Sequence, residues 1–132
     1  MRAAVLGGGS WGTAVAAQMA RAGHHVSLWL RQPALAEAVN ARRENPLYLP
    51  GEVLPEGLQA TTELAAAVAG AEVLISAVPS QSTRGVWAGL AALLAPGVPL
   101  VSATKGIEIE SLKRMSQLAE EVLPGHPLAA LS

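Results

Sequence analysis

Short apolar runs alternate along the chain with stretches in which apolar residues recur every three or four positions. The apolar runs are continuous, which is typical of strands buried on both faces of a parallel sheet. The longer stretches have the period of helices that would cover such a sheet. Strands are predicted at residues 2–6, 25–30, 58–61, 72–78, 98–103 and 128–131, and helices at residues 11–22, 33–43, 63–69, 81–94 and 110–123.

This order of elements predicts an α/β fold. Crossovers between parallel strands are almost always right-handed, so the units should wind into a Rossmann-type doubly wound, mostly parallel sheet with helices on both faces. Trp87 falls close to an apolar helical stripe, and we expect it in the core. The stripes predicted to face the sheet are Leu35 with Val39, then Val86, Leu90 and Leu93, then Leu112, Met115, Leu118 and Val122.

Composition narrows the class of protein. The 132 residues are the length of one domain, and 51% of them are hydrophobic, so the chain can bury a core. Nine Lys and Arg nearly balance ten acidic residues, which argues against a nucleic-acid or polybasic membrane binder. No uncharged apolar stretch approaches the ~18 residues of a membrane span. The first apolar run breaks at once into glycines, so we expect no secretory signal and a cytoplasmic location.

Several kinds of chemistry are excluded by missing residue types. The chain has no Cys, which rules out disulfides and thiolate catalysis, and no Asp, which rules out a Ser-His-Asp triad. His24, His25 and His126 have no Cys or Asp beside them in the sequence, so we expect no metal site.

The glycine run after the first strand is the first candidate site. Gly7, Gly9 and Gly12 fit the pattern G-x-G-x-x-G between a strand and a helix, and a second strand follows ~20 residues later. The three glycines would permit the tight turn, the approach of a pyrophosphate and close packing of helix on strand. The N–H groups of Ser10, Trp11 and Gly12 would then face the anion. The alternative is a glycine-rich turn without a ligand.

The end of the second strand bears on cofactor choice. Sites selective for NAD usually place an acid there, whereas an Arg accommodates the 2′-phosphate of NADP. No acid lies between Gly12 and Glu37, and the strand is followed by Arg31. Its guanidinium could pair with a 2′-phosphate or stack on adenine. We therefore expect NADP to be accepted as well as NAD, and NADPH could be preferred. The alternative is an ordinary surface Arg.

Five segments together resemble successive motifs of the NAD(P)-dependent glycerol-3-phosphate dehydrogenases. They fall in that family's order and spacing and cover essentially the whole chain. The elements N-x-x-Y-L-P and T-K-G-I-E are much more specific than the glycine loop. The segments are residues 7–14, 29–31, 45–50, 78–80 and 104–108.

The resemblance implies an enzyme that interconverts dihydroxyacetone phosphate and sn-glycerol 3-phosphate with NAD(P)H, for glycerophospholipid synthesis. Ser10, Trp11 and Arg31 would contact the cofactor. Lys105 would touch both the substrate and the nicotinamide end, where its charge could stabilise a developing oxyanion. In the family a second, largely helical domain supplies the general base, a lysine. Residues 1–132 would then be one NAD(P)-binding Rossmann domain of a two-domain protein, inactive alone and a possible homodimer.

Other residues are weaker candidates. Asn45 and Tyr48 lie in a Pro-rich loop that could close over the pocket, although Tyr48 could equally anchor the loop by packing. Pro79 and Ser80 end a strand and are plausible walls of a cofactor pocket, whereas Lys113 reads as a solvated surface residue. Alternative functions are a non-catalytic nucleotide-binding module and a related dehydrogenase of the 3-hydroxyacyl-CoA or ketopantoate type. An FAD site rests on the glycine loop alone.

Overall fold

The computed structural model describes residues 1–104 and 107–130. Six strands alternate with five helices through this part of the chain. The strands are β1 (Arg2–Leu6), β2 (His25–Trp29), β3 (Leu58–Thr61), β4 (Val73–Ser76), β5 (Leu100–Ser102) and β6 (Leu128–Ala130). The helices are α1 (Ser10–Arg21), α2 (Pro33–Glu37), α3 (Leu64–Val68), α4 (Ser80–Leu90) and α5 (Met115–Val122).

The six strands form one sheet in the order β3-β2-β1-β4-β5-β6, and all five pairings are parallel. This order reverses direction between β1 and β4, which leaves a crevice at their carboxyl ends where doubly wound folds bind ligands. The prediction of a Rossmann-type doubly wound parallel sheet is therefore confirmed.

Each face of the sheet carries its own apolar core. Along β1, Ala4 and Leu6 pack into one core and Val5 into the other, because successive strand residues point to opposite faces. On the first face, the indole N–H of Trp87 donates to Oγ of Ser76 at 2.9 Å, and this Trp is fully buried. The prediction that Trp87 is a core residue is confirmed.

The predicted helix over residues 110–123 is wrong in its first five residues. Helix α5 begins at Met115, and residues 107–114 form a loop closed by a bridge between Ile107 and Arg114. Leu112, placed by prediction on the apolar stripe, has φ +59° and is 70% exposed. Periodicity suggested a helix here, but contacts to α4 hold the loop in a different path.

Two other helices differ from prediction at their ends. Helix α4 stops at Leu90, so Leu93 is exposed and the following Leu94 is buried instead. Helix α2 continues as a π-helical turn, Ala38–Arg42, and ends at Arg43 with φ +55°. The guanidinium of Arg43 donates to the carbonyl oxygens of Pro55, ahead of β3, and of Leu58, the first residue of β3. No helix in the described part of the chain is long and apolar enough to span a bilayer.

Candidate functional site

A cleft of about 370 Å³ opens at the carboxyl ends of β1, β2 and β4. It lies at the point where the strand order reverses, which is the ligand-binding position of doubly wound folds. Its lining residues are Gly7, Gly8, Gly9, Trp29, Leu30, Arg31, Gln32, Leu35, Tyr48, Ala77, Val78, Pro79 and Ser82. The glycine loop, Arg31 and Pro79, which were predicted separately from the sequence, thus line the same cleft.

A second cavity, of about 280 Å³, lies at the opposite edge of the sheet. It is bordered by Arg2, His25 and Gln59, which stand near the amino ends of β1, β2 and β3. No residue of the glycine loop reaches it. We therefore assign the candidate site to the cleft at the carboxyl edge.

The glycine loop is shaped by close backbone contacts. Gly7 has φ +112°, and a Cβ on it would lie 2.8 Å from the carbonyl oxygen of Ala77. A Cβ on Gly12 would lie only 1.9 Å from the carbonyl oxygen of Gly7, so α1 can approach β1 only through a glycine. Gly8, which the sequence pattern leaves free, is also crowded, because its Cβ would meet Cβ of Leu30 at 2.6 Å.

Gly9 is different from its neighbours. A Cβ there would meet no atom within 4 Å, and the residue lines the cleft as the N-cap of α1. The N–H groups at the start of a helix have no intrahelical partner, and the first turn of α1 contains no acidic residue. The space above Gly9 therefore suits an anion held by backbone N–H groups.

Ser10 and Trp11 lie at the start of α1, as predicted, but neither side chain lines the cleft. Oγ of Ser10 donates to the carbonyl oxygen of Tyr48 at 2.7 Å, and Trp11 is exposed. At the start of the helix, these two residues could therefore bind an anion only through their backbone N–H groups.

The loop at residues 45–50 is fastened to the glycine loop by Asn45, which is fully buried. Its Nδ2 donates to the carbonyl oxygen of Gly8 at 3.1 Å and to Oγ1 of Thr13 at 2.9 Å. Its Oδ1 accepts the N–H of Tyr48 at 3.0 Å. Asn45 is therefore an anchor and not part of a movable cover, while Tyr48 is held through its backbone and borders the cleft.

The other end of the cleft is formed by the end of β2. Arg31 lines it, with its guanidinium carbon 5.7 Å from the centroid of the Trp29 ring. The indole N–H of Trp29 donates to the carbonyl oxygen of Thr62 at 3.1 Å. A cation is thus present where the ribose of a dinucleotide would lie in this fold.

The wall beyond β4 agrees only in part with the prediction. Val78 and Pro79 line the cleft, whereas Ser80 does not and begins α4. Ser82 lines the cleft in its place.

Lys105 lies outside the described residues, so its expected contacts stay a prediction. The chain on either side of it is well held. Oγ1 of Thr104 donates to the carbonyl oxygen of Val78 at 2.5 Å, and Nε2 of Gln81 donates to the carbonyl oxygen of Ile107 at 2.9 Å. The described residues on either side of it are therefore bonded to Val78, which follows β4, and to Gln81 in the first turn of α4.

A network of charged groups holds the following loop. Arg84 forms a two-pronged ion pair with Glu108, at 2.8 and 2.9 Å, and a third contact with Glu121 at 2.5 Å. Lys113, expected as a plain surface residue, also pairs with Glu121, and Ser111 donates to Glu108. Arg84 was not among the predicted site residues, although it is the one charged residue of helix α4.

These contacts shift the pKa values of the network. Hydrogen bonds from Arg84 and then Ser111 lower the pKa of Glu108 below its usual value. Hydrogen bonds from Lys113 and then Arg84 lower the pKa of Glu121, and the pKa of Arg84 is raised by Glu108 and Glu121. All three groups are therefore charged at neutral pH, and the network persists there.

Within residues 1–104 and 107–130, no three potential metal ligands come together. Nδ1 of His24 lies 3.0 Å from the amino-terminal nitrogen, and Nδ1 of His126 lies 2.9 Å from the carbonyl oxygen of Val98. Both imidazole rings therefore contact backbone groups of the protein.

Comparison with known proteins gives a consistent result. Residues 2–132 match the family described as NAD-dependent glycerol-3-phosphate dehydrogenase N-terminus. A glycerol-3-phosphate dehydrogenase [NAD(P)+] of Sphingopyxis alaskensis is 48% identical over all of this chain and 39% of its own length. One from Streptomyces avermitilis is 52% identical over 92% of this chain and 36% of its own. The chain thus spans about two fifths of the length of these relatives.

Solved structures agree with the fold. The crystal structure of glycerol-3-phosphate dehydrogenase from Coxiella burnetii superposes with a TM-score of 0.91 at 31% identity, over 98% of this chain and 39% of that one. A ketopantoate reductase from Ralstonia eutropha reaches a TM-score of 0.74 at 23% identity, over 98% and 40% of the two chains. The second similarity concerns the fold alone.

Proposed function

Because the chain belongs to the NAD-dependent glycerol-3-phosphate dehydrogenase N-terminal family, we propose that it is the NAD(P)-binding domain of an oxidoreductase that interconverts dihydroxyacetone phosphate and sn-glycerol 3-phosphate. The reaction would supply sn-glycerol 3-phosphate for glycerophospholipid synthesis. We take residues 1–132 as one domain of a two-domain protein, since the chain spans 39% of one matched relative. The bound nicotinamide would supply or accept the hydride.

The residues of the cleft have distinct roles in this proposal. The open space at Gly9 would receive the pyrophosphate, which the N–H groups of Ser10, Trp11 and Gly12 would hold with the positive end of α1 behind them. Arg31 would meet the ribose end and allow NADP as well as NAD. Charge complementarity supports this assignment, because no acidic residue stands in the first turn of α1.

Lys105 has the electrostatic role. Its ammonium group would stabilise negative charge on the substrate oxygen as hydride reaches the carbonyl carbon, and it would contact the nicotinamide end. Val78 lines the cleft, and its carbonyl oxygen accepts the hydroxyl of Thr104, the residue before Lys105, which supports this role. The general base would come from the remainder of the protein.

The observation that carries the proposal is the open space beside Gly9 in an otherwise crowded loop. We expect Gly9→Ala to fold normally, because φ −73° and the free space accept a methyl group. The methyl group would occupy the position of the pyrophosphate, which could then no longer accept hydrogen bonds from the N–H groups at the start of α1. NADH and NADPH should each bind about tenfold more weakly or worse, as measured by calorimetric titration of the full-length protein.

Gly85→Ala is the matched control. Gly85 lies in α4, and its Cβ would also meet nothing within 4 Å, but the residue does not line the cleft. This variant should bind both cofactors as the wild type does. Equal affinities in the Gly9 variant, the control and the wild type would overturn the assignment of the pyrophosphate.

Catalysis is tested separately. The full-length protein should oxidise NADPH with dihydroxyacetone phosphate, followed by absorbance, and residues 1–132 alone should show no turnover. Cofactor binding without turnover by the full-length protein would favour a non-catalytic module.

We also propose that the protein is cytoplasmic and forms a homodimer. Cell fractionation would test its location, and light scattering would test its oligomeric state.

A further inference from the structure

The guanidinium of Arg31 rests against an aromatic ring. Its central carbon lies 5.7 Å from the centroid of Trp29, two residues earlier at the end of β2. This distance is within the range of about 6 Å over which a cation is attracted to a ring face. Five ion pairs are formed within the described residues, and Arg31 takes part in none of them. The contact that the structure shows for its charged group is the cation–π contact with Trp29.

The ring itself is held from two sides. Its indole N–H donates to the carbonyl oxygen of Thr62 at 3.1 Å, and the half-buried side chain packs against the apolar core on the α4 face of the sheet. The carbonyl oxygen of Trp29 accepts the N–H of Gly7 at 2.9 Å. Trp29 therefore links the glycine loop to the end of the cleft where Arg31 lies.

A fixed ring matters because an arginine side chain is flexible. Ordering it on a ligand costs conformational entropy, and a preorganised side chain loses less of it. A guanidinium over a ring face keeps its edge free, and the N–H groups of that edge donate to phosphate oxygens. Arg31 over Trp29 is therefore arranged to donate to a phosphate monoester at the mouth of the cleft.

We propose that Trp29 is a positioning residue for cofactor selectivity, which holds Arg31 where it recognises the 2′-phosphate of NADP. The inference rests on the proposed function, since it concerns the ribose end of the same cleft. Trp29 acts on the 2′-phosphate through Arg31 and has no direct part in hydride transfer.

The test compares two small probes that differ only in the 2′-phosphate, adenosine 2′,5′-bisphosphate and adenosine 5′-monophosphate. Their affinities for the full-length protein are measured by calorimetry at one low salt concentration. Trp29→Leu should lower the preference for the bisphosphate about two- to fivefold, the value of an exposed cation–π contact. Trp29→Phe keeps a ring face and should retain most of the preference.

Trp87→Phe is the matched control, because this indole N–H also donates within the fold but lies in the core and away from the cleft. Its preference should equal that of the wild type. A double-mutant cycle then isolates the contact. Arg31→Leu should reduce the preference in the wild type, and by less when Trp29 is already Leu.

The outcomes separate the two proposals. If neither probe nor either dinucleotide binds the folded wild type, the proposed function fails. If both probes bind but Trp29→Leu weakens them equally, Trp29 has only a structural role and the inference is wrong. It is also wrong if the wild type does not prefer the bisphosphate, or if the effects of the Trp29 and Arg31 variants are additive.

Discussion

Nδ2 of Asn45 lies 2.9 Å from Oγ1 of Thr13, in a fully buried contact between the 45–50 loop and the first turn of α1. Thr13 also donates to the carbonyl oxygen of Gly8, which Asn45 reaches with the same amide nitrogen. The glycine loop is thus braced from behind by side chains that do not enter the cleft. A loop held in this way is preorganised for an anion, and the brace itself can be tested.

We expect Asn45→Ala to destabilise the fold by about 1–3 kcal/mol, because it leaves buried polar groups without partners. NADH and NADPH should both bind more weakly, with the ratio of their affinities unchanged. Urea unfolding and calorimetric titration measure the two effects. Asn40→Ala is the control, since Asn40 makes two similar bonds to the backbone of Ala60, away from the cleft. Its cofactor affinity should stay at the wild-type level; a matching loss there would indicate a general effect of instability.

Gly12→Ala should be far more damaging to folding than Gly9→Ala. The added Cβ would overlap the carbonyl oxygen of Gly7 at 1.9 Å, so α1 would have to move away from β1. We expect a loss of about 1–3 kcal/mol or more in the free energy of unfolding. Gly85→Ala, in the open on α4, should instead gain up to about 1 kcal/mol. Urea unfolding measures these free energies. Equal free energies of unfolding for Gly12→Ala and Gly85→Ala would contradict the crowding at Gly12.

Leu112 is a site where stability can be raised. It has φ +59° and is largely exposed, and a left-handed conformation is costly for a leucine. Asn tolerates this conformation much better, so Leu112→Asn should increase the free energy of unfolding by about 0.5–1 kcal/mol. Leu93→Asn is the control: this leucine is also exposed, but its φ is not positive, and no gain is expected. Thermal or urea unfolding distinguishes them.

The charged network predicts the response to acid. Arg84 and its neighbours hold the pKa values of Glu108 and Glu121 below their usual value of about 4.5. The stabilisation from each carboxylate is complete above that usual value, which applies in the unfolded chain, and is lost as pH falls through the lowered folded value. The urea midpoint of the wild type should therefore fall more steeply below pH 4.5 than that of Glu108→Gln. Parallel pH profiles for the two proteins would contradict the shift at Glu108.

Much of the candidate site was accessible from sequence because its signals are local. The spacing of Gly7, Gly9 and Gly12 between a strand and a helix predicts the loop. The structure shows backbone crowding at Gly7 and Gly12 and open space at Gly9. Arg31 was found because it directly follows the predicted strand at residues 25–30, whose carboxyl end must lie at the crevice. Gly8 was missed because the contact that excludes a side chain comes from Leu30, which follows β2 and is distant in the sequence.

The error at residues 110–114 has a different origin. The apolar spacing there fits a helix, but Arg84 on α4 attracts Glu108 and Gln81 bonds to Ile107, so the chain follows a loop to Met115. Helical periodicity indicates which side chains could share a face of a helix. It does not indicate that an ion pair with another element will favour a loop instead of the helix.

By itself, the sequence determined the parallel doubly wound sheet, its order of elements and the place of the glycine loop, since these depend on apolar runs and turn residues close together in the chain. Only the tertiary structure decided that Asn45 anchors the loop, that Arg84 holds Glu108 and that Trp29 lies beneath Arg31. The first two contacts join residues 32 and 24 positions apart. Polar contacts of this range depend on how the helices pack on the sheet, which spacing along the chain does not specify.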